Sequence, residues 1–144
     1  MLGPAHVYET QIRESHLDSF GHVNHAQYLV LFEEARWELI TANGYGLDRV
    51  LELGRGPVIV EIRVSFRREL RLRERIRIET ECKEYKKKIG RIHQVIRGPS
   101  GELMAEAEVV FGLFDLVARR LVSPTPEWLR AIGAAPAALV GITV

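Results

Sequence analysis

A chain of 144 residues, 47% hydrophobic and 27% charged, has the size and composition of one globular domain that can build a core without staples. A formal net charge of +1 gives no general attraction to nucleic acid or to a membrane surface, and the single cysteine, Cys82, excludes an intrachain disulfide and a paired-thiolate zinc site. Residues 1–7 lack the basic start and apolar run of a secretory leader, and no apolar stretch is long enough to span a bilayer, so the expectation is a cytoplasmic protein.

Residues 7–14 (VYETQIRE) alternate loosely and predict a first strand. Residues 15–24 (SHLDSFGHVN) are rich in turn formers and predict a loop. The segment YLVLFEEARWELITA, residues 28–42, places Tyr28, Phe32, Ala35 and Leu39 at helical spacing, with Leu29, Leu31 and Ile40 widening the apolar face. A helix apolar over most of its circumference is expected to be buried along most of its length. Asn24 is positioned as its N-cap with Gln27 three residues on, and Asn43-Gly44 as its stop.

A glycine-rich stretch (Gly44, Gly46, Gly54, Gly56) leads into alternating runs. Val58, Val60, Ile62, Val64 and Phe66 define one strand face, and Ile76, Ile78, Thr80 and Cys82 a second. Residues 89–97 (IGRIHQVIR) form a third run, and after the turn at 98–101 Leu103, Ala105, Ala107, Val109, Phe111 and Leu113 share a fourth face. Strict alternation with short turns predicts antiparallel strands with one wet face. Thr125 and Pro126 open a short helix over 126–132. The order strand, apolar helix, four strands predicts an α+β domain in which a curved antiparallel sheet wraps one long central helix. Open sheet edges and a single helix layer favour a homo-oligomer, through edge pairing or helix-side packing.

Candidate chemistry is concentrated in residues 16–37. His16, Asp18, His22, Asn24 and His25 crowd into ten residues, more polar capacity than one helix cap needs. Gly21 permits a tight turn that would bring the Asp18 carboxylate over the helix start. The unpaired N–H groups there, around His25 and Ala26, carry the positive end of the helix dipole and can hold the oxyanion of an acyl transfer. A carboxylate beside such donors is a minimal hydrolase. The plainer alternative is that Asp18 and Asn24 only cap turns. A metal site at His22 and His25 lacks further ligands at recognisable spacing.

The segment HLDSFGHVNHAQYLVLFEEARW resembles the signature of the hot-dog thioesterases of the 4-hydroxybenzoyl-CoA thioesterase superfamily, in particular the bacterial acyl-CoA thioester hydrolases and their long-chain branch. RIETECKEYKKKIGRIHQ, residues 77–94, is similar to a strand pair of the same superfamily, and the likeness covers residues 8–122. The resemblance implies an acyl-CoA substrate, no cofactor beyond the CoA of that substrate, and a dimer or tetramer. It places the catalytic carboxylate on Asp18, the turn glycine on Gly21, and the N–H that polarises the thioester carbonyl on His25. The helix tyrosine falls on Tyr28, and the cations for the CoA phosphates fall on Lys86, Lys87 and Lys88. The chain departs from the long-chain branch at Asn24-His25, where that branch carries Asn-Asn, and lacks the proline often found near Glu69.

Other residues carry competing readings. Asp18 can serve as general base on water or as nucleophile through a mixed anhydride. Tyr28 and Phe32 face inward from the helix start, as core or as the wall of an acyl pocket. Glu33 and Glu34 are rival carboxylates on the helix, with Arg36 as the expected ionic partner of Glu33. His16, His22 and His93 are read as structural or surface groups. The arginines at 67, 68, 71, 73 and 75 form a candidate docking patch for an acyl-carrier protein. A non-catalytic acyl-CoA-binding protein is a third alternative, which the presence of Asp18 and Gly21 at the helix start disfavours.

Overall fold

The computed structural model describes residues 5–142; residues 1–4, on which part of the leader expectation rests, lie outside that range. The chain opens with strand β1 (His6–Gln11), shorter than expected because residues 14–16 form a 3-10 turn. The central helix α1 (His25–Ala42) starts where the sequence places it, with the Asn24 side chain accepting from Gln27 N–H at 3.2 Å. Tyr28, Leu31, Phe32, Ala35, Leu39 and Ile40 form its buried stripe. The helix is not buried all round: Leu29 and Val30 are exposed, because a single sheet covers only one of its sides.

A second helix, α2 (Leu47–Leu53), occupies the stretch read as glycine-rich loop; Gly54 ends it in a left-handed conformation. Four long strands follow: β2 (Arg55–Phe66), β3 (Arg75–Lys86), β4 (Ile89–Arg97) and β5 (Leu103–Asp115). They order with β1 as β1-β3-β4-β5-β2, all antiparallel. Short strands β6 (Arg120–Val122) and β7 (Leu139–Val140) extend the sheet at the ends of β5 and β3, and helix α3 (Pro126–Ala131) lies between them, capped by Thr125 Oγ1. Neither short strand has enough residues to show an alternating pattern.

The sheet's inner face packs on α1 through residues the alternation identifies in β3 and β5, including Ile78 and Val109, and through Ile92 and Ile96 of β4. In β2 the alternation holds for Ile62 and Val64, which pack on the core, and misleads ahead of them. A bulge between Ile59 and Glu61 shifts the register, so that Ile59 lies opposite Phe111 and Ile62 opposite Val109. Ile59 therefore joins Ile62 on the inner face, while Val58 falls opposite Gly112 and Val60 is 55% exposed. Strand β2 closes one side of the sheet order, and among the described residues its outer edge, 12 residues long, pairs with no strand.

Candidate active site

The loop before α1 is a tight turn built on Asp18. Its Oδ1 accepts from the backbone N–H of Phe20 (2.9 Å) and His22 (3.0 Å), its own N–H reaches His22 O, and Gly21 N–H returns to Asp18 O. Gly21 has φ +77°, and a Cβ there would meet nothing within 4 Å; backbone conformation, not space, calls for glycine. One carboxylate oxygen thus does the turn-capping work of the plainer reading. Among the described residues, Oδ2 of the half-buried side chain makes no hydrogen bond.

Val23 and Asn24 lead directly from this turn into the helix tip. Gln27 N–H is taken by the Asn24 side chain and carbonyl, whereas among the described residues the N–H groups of His25 and Ala26 have no acceptor. Beside them lies a shallow, open hollow of about 370 Å³, lined by Val23, His25, Tyr28 and Phe66–Glu69. The sequence reading missed Phe66, Arg67 and Arg68 as neighbours of the helix tip, because only the fold brings the end of β2 there.

Tyr28 lines the hollow but is itself buried, its ring edge-on to Phe66 at 5.1 Å. Its hydroxyl donates to Arg68 O and accepts from Leu70 N–H, which ties the helix to the β2–β3 connection, and burial pushes its pKa up. Phe32, one turn further, has no exposed surface and belongs to the core.

Arg36 departs from expectation. It forms no ion pair with Glu33; it reaches inward and donates from Nη1 to Gln94 Oε1 at 2.9 Å. The fully buried Gln94 in turn donates to Phe32 O and Thr80 Oγ1, both at 3.0 Å. The sequence signal for this network was a lone glutamine between Ile92 and Ile96 on an otherwise apolar strand face. Glu34 accepts a long bond from Tyr8 Oη (3.4 Å) and sits away from the helix tip.

Lys87 and Lys88 make the two-residue turn between β3 and β4, with Lys86 ending β3; all three are exposed. That turn sits at the other end of the domain from His25. Gly90 lies opposite Phe111, and Phe111 opposite Ile59, whereas the hollow abuts Phe66 seven residues along β2. At the rise of a strand these ends are separated by roughly 20 Å.

A metal-capable group lies on the outer sheet face. His93, Glu106 and Glu108 bring ligand atoms within 4.8 Å of one another. His93 Nε2 and Glu106 Oε1 already pair at 2.8 Å, with Arg67 3.6 Å from the second Glu106 oxygen, and the His93 bond holds the Glu106 carboxyl below the usual range. His16 serves its 3-10 turn, accepting from Arg13 N–H through Nδ1. The Cys82 thiol is buried, and burial pushes it up to about 11, far from thiolate chemistry.

A curved antiparallel sheet laid over one long central helix is the hot-dog fold. A profile of the thioesterase-like superfamily matches residues 12–132, and the chain belongs to that superfamily as a thioesterase. It is 30% identical over 116 residues to the long-chain acyl-CoA thioesterase FadM of Escherichia coli, covering 80% of this chain and 87% of that protein. The crystal structure of YbaW, a probable thioesterase of E. coli, matches with a TM-score of 0.75 at 27% identity, over 88% of this chain and 96% of that one. SAV2348 of Staphylococcus aureus, solved in complex with CoA, shares the fold at a TM-score of 0.85 and 17% identity, covering 100% of this chain and 91% of that one. Among the described residues no helix is long and apolar enough to cross a membrane.

Proposed function

We propose that the chain hydrolyses an acyl-CoA thioester, with Asp18 as the catalytic carboxylate and the tip of α1 as the oxyanion site. The observation that carries this reading is the pair of unfilled N–H donors at His25 and Ala26, which follow the Asp18 turn in the chain, with His25 on the lining of the hollow and Asp18 outside it. A thioester carbonyl oxygen held by these donors gains stabilisation as its charge develops, worth about 2.7–4 kcal/mol per well-placed donor. The Oδ1 bonds fix the Asp18 side chain and leave Oδ2 to act. Oδ2 either takes a proton from the attacking water or attacks the carbonyl itself to form a mixed anhydride. In both routes the C–S bond breaks, CoA leaves as the thiol, and the acid is released. Neither route needs a metal or a further cofactor, and the lone buried cysteine suits the cytoplasm.

Lys86–Lys88 lie at the far end of the domain, a separation comparable with an extended pantetheine arm, so the run can meet the CoA phosphates from the same chain or be brought closer by a partner subunit. Two-fold pairing of the open β2 edges would do this, since antiparallel pairing sets the start of one β2 beside the end of the other. The exposed Val60 and Phe66 on that strand support such an interface. An acyl-carrier-protein substrate has weaker support, because Arg67 and Arg73 of the arginine patch are already paired with Glu106 and Glu14.

The test is Asp18→Asn assayed on a panel of acyl-CoA thioesters. Asn keeps an oxygen for the Phe20 and His22 N–H groups, so melting temperature and CoA binding should hold while kcat falls about a hundredfold or more. Near-normal turnover in that variant would remove Asp18 from the mechanism. Under single turnover in heavy-oxygen water, only the nucleophilic route can carry an unlabelled Asp18 oxygen into the product. Neutralising Lys86–Lys88 should raise KM more than it lowers kcat. Mixing that variant with Asp18→Asn should restore part of the activity if sites are shared between subunits.

A further inference from the structure

The cleft between the second half of α1 and the start of β2 contains a cation that, among the described residues, forms no ion pair. Its apolar wall includes Trp37, Ile40, Ile59 and Trp128, and its only charged groups are Glu33 and Arg36. A guanidinium has five N–H donors. Among the described residues Arg36 uses one of them, on the neutral oxygen of Gln94, and no carboxylate forms an ion pair with it. The arrangement is stiff. Gln94 spends its amide on Phe32 O and Thr80 Oγ1, so it cannot turn to offer Arg36 a second acceptor, and it holds the guanidinium at the cleft. Burial pulls the Arg36 pKa down, the mark of a charge removed from water, and the nearby Glu33 charge offsets only part of this. The residue is half-buried and its free N–H groups still reach water; a hydrocarbon chain entering the cleft would strip that water away, and only a chain that carries an acceptor would replace it.

We propose that Arg36 is a specificity-determining residue whose free N–H groups receive an uncharged oxygen, hydroxyl or keto, carried in the middle of a long acyl chain. The proposal rests on the acyl-CoA reading above. Three observations select this ligand class. The apolar wall fits a hydrocarbon chain. The unfilled donors ask for an oxygen acceptor, which a plain hydrocarbon chain lacks. Glu33 in the same lining opposes a carboxylate, since an anion would gain from Arg36 and lose to Glu33. Arg36 lies eleven residues beyond His25 on α1, about 16 Å at the helical rise, so an acyl group anchored by its carbonyl at the tip reaches it only with a long chain.

Oleoyl-CoA and ricinoleoyl-CoA differ by one mid-chain hydroxyl and serve as probes. Wild type, Arg36→Met and Arg36→Lys are to be compared by kcat/KM on both thioesters and by calorimetric binding of the two free acids. Wild type should favour the hydroxylated chain about tenfold or more, the yield of one charge-assisted hydrogen bond. Arg36→Met should bring the ratio of the two kcat/KM values to about one, and Arg36→Lys should keep part of the preference. Equal handling of both chains by wild type, or a preference that survives in Arg36→Met, overturns the proposal. Should Arg36→Met fail to fold, the wild-type ratio and Arg36→Lys decide. If neither thioester is cleaved, the acyl-CoA reading fails by itself, and the ratio of free-acid affinities still decides the role of Arg36.

Discussion

The two ends of helix α1 are built on opposite principles. Behind the Arg36 cleft, its C-terminal end is bonded and packed. Asn43 Nδ2 donates to Ala131 O, Trp128 Nε1 donates to Tyr85 Oη at 3.1 Å, and the rings of Tyr45, Trp128, Phe111 and Tyr85 meet edge-on with centroids 5.2–6.2 Å apart. At its N-terminal end two backbone donors are open, Phe66 is half exposed, and Phe20 on the adjacent turn is 85% exposed. The closed end supplies packing energy; the open end keeps hydrogen-bonding capacity for a ligand. Stability and turnover should therefore respond to different substitutions.

Trp128→Ala should have the largest effect on stability. Removing a fully buried indole from the aromatic cluster should cost about 3–5 kcal/mol, read by denaturant or thermal unfolding. Well below the lowered melting temperature, kcat on an acyl group too short to reach the Arg36 cleft should stay near wild type, and its loss in a fully folded sample would break the separation of the two ends. Gly90→Ala should follow at about 1–3 kcal/mol. The added Cβ would stand 2.5 Å from Phe111 Cε1 and 2.9 Å from Tyr85 Cδ2, rings held by the same cluster.

The closed end should also set the alkaline limit. Burial pushes the Tyr85 hydroxyl from 10.0 up to about 12. Below pH 10 the phenol is protonated in folded and unfolded chains alike. Between these values only the unfolded chain ionises, so the stability linked to Tyr85 is lost as pH rises through that window. Tyr85→Phe should lower stability at neutral pH by loss of the Trp128 bond, yet flatten the alkaline decline measured by denaturation at stepped pH. An unchanged decline above pH 10 would assign it elsewhere; the window of the buried Cys82 thiol, from 9.0 up to about 11, opens first and should survive in Tyr85→Phe.

Much of this contrast was legible in the sequence, for identifiable reasons. Helix α1 and its cap could be read because apolar spacing, Asn24 and Gln27 agree on one start. The strands of the inner sheet could be read because one face is buried and the other wet. The β2 bulge could not, since a one-residue slip leaves the composition unchanged while reversing which side chains face in. Helix α2 was hidden by its flanking glycines, which punctuate a seven-residue helix as readily as a loop. At the site, the density of polar groups around Asp18 was visible, as was the turn glycine. What sequence spacing could not supply was the long-range geometry: Phe66–Arg68 brought to the helix tip, the lysine turn carried to the opposite end, and Arg36 drawn to Gln94 across 58 residues instead of to Glu33 three residues away.

The smallest expected change in stability is also the sharpest probe of the open end. Asn24→Ala removes the side-chain acceptor of Gln27 N–H and should cost about 1 kcal/mol, with kcat falling as the first turn frays and the His25 N–H loses its direction. Asn24→Asp restores that acceptor and adds a charge favourable to the helix dipole, so stability should return to wild type or slightly above. Turnover should not return with it. A carboxylate at the cap satisfies the same positive end that a developing oxyanion would use, and it repels the negative charge of the transition state. A tip that only anchors the helix would let Asn24→Asp recover stability and kcat together; a tip that works as an oxyanion site would let it recover the first alone. Melting curves and kcat measured on the same three proteins separate the two outcomes.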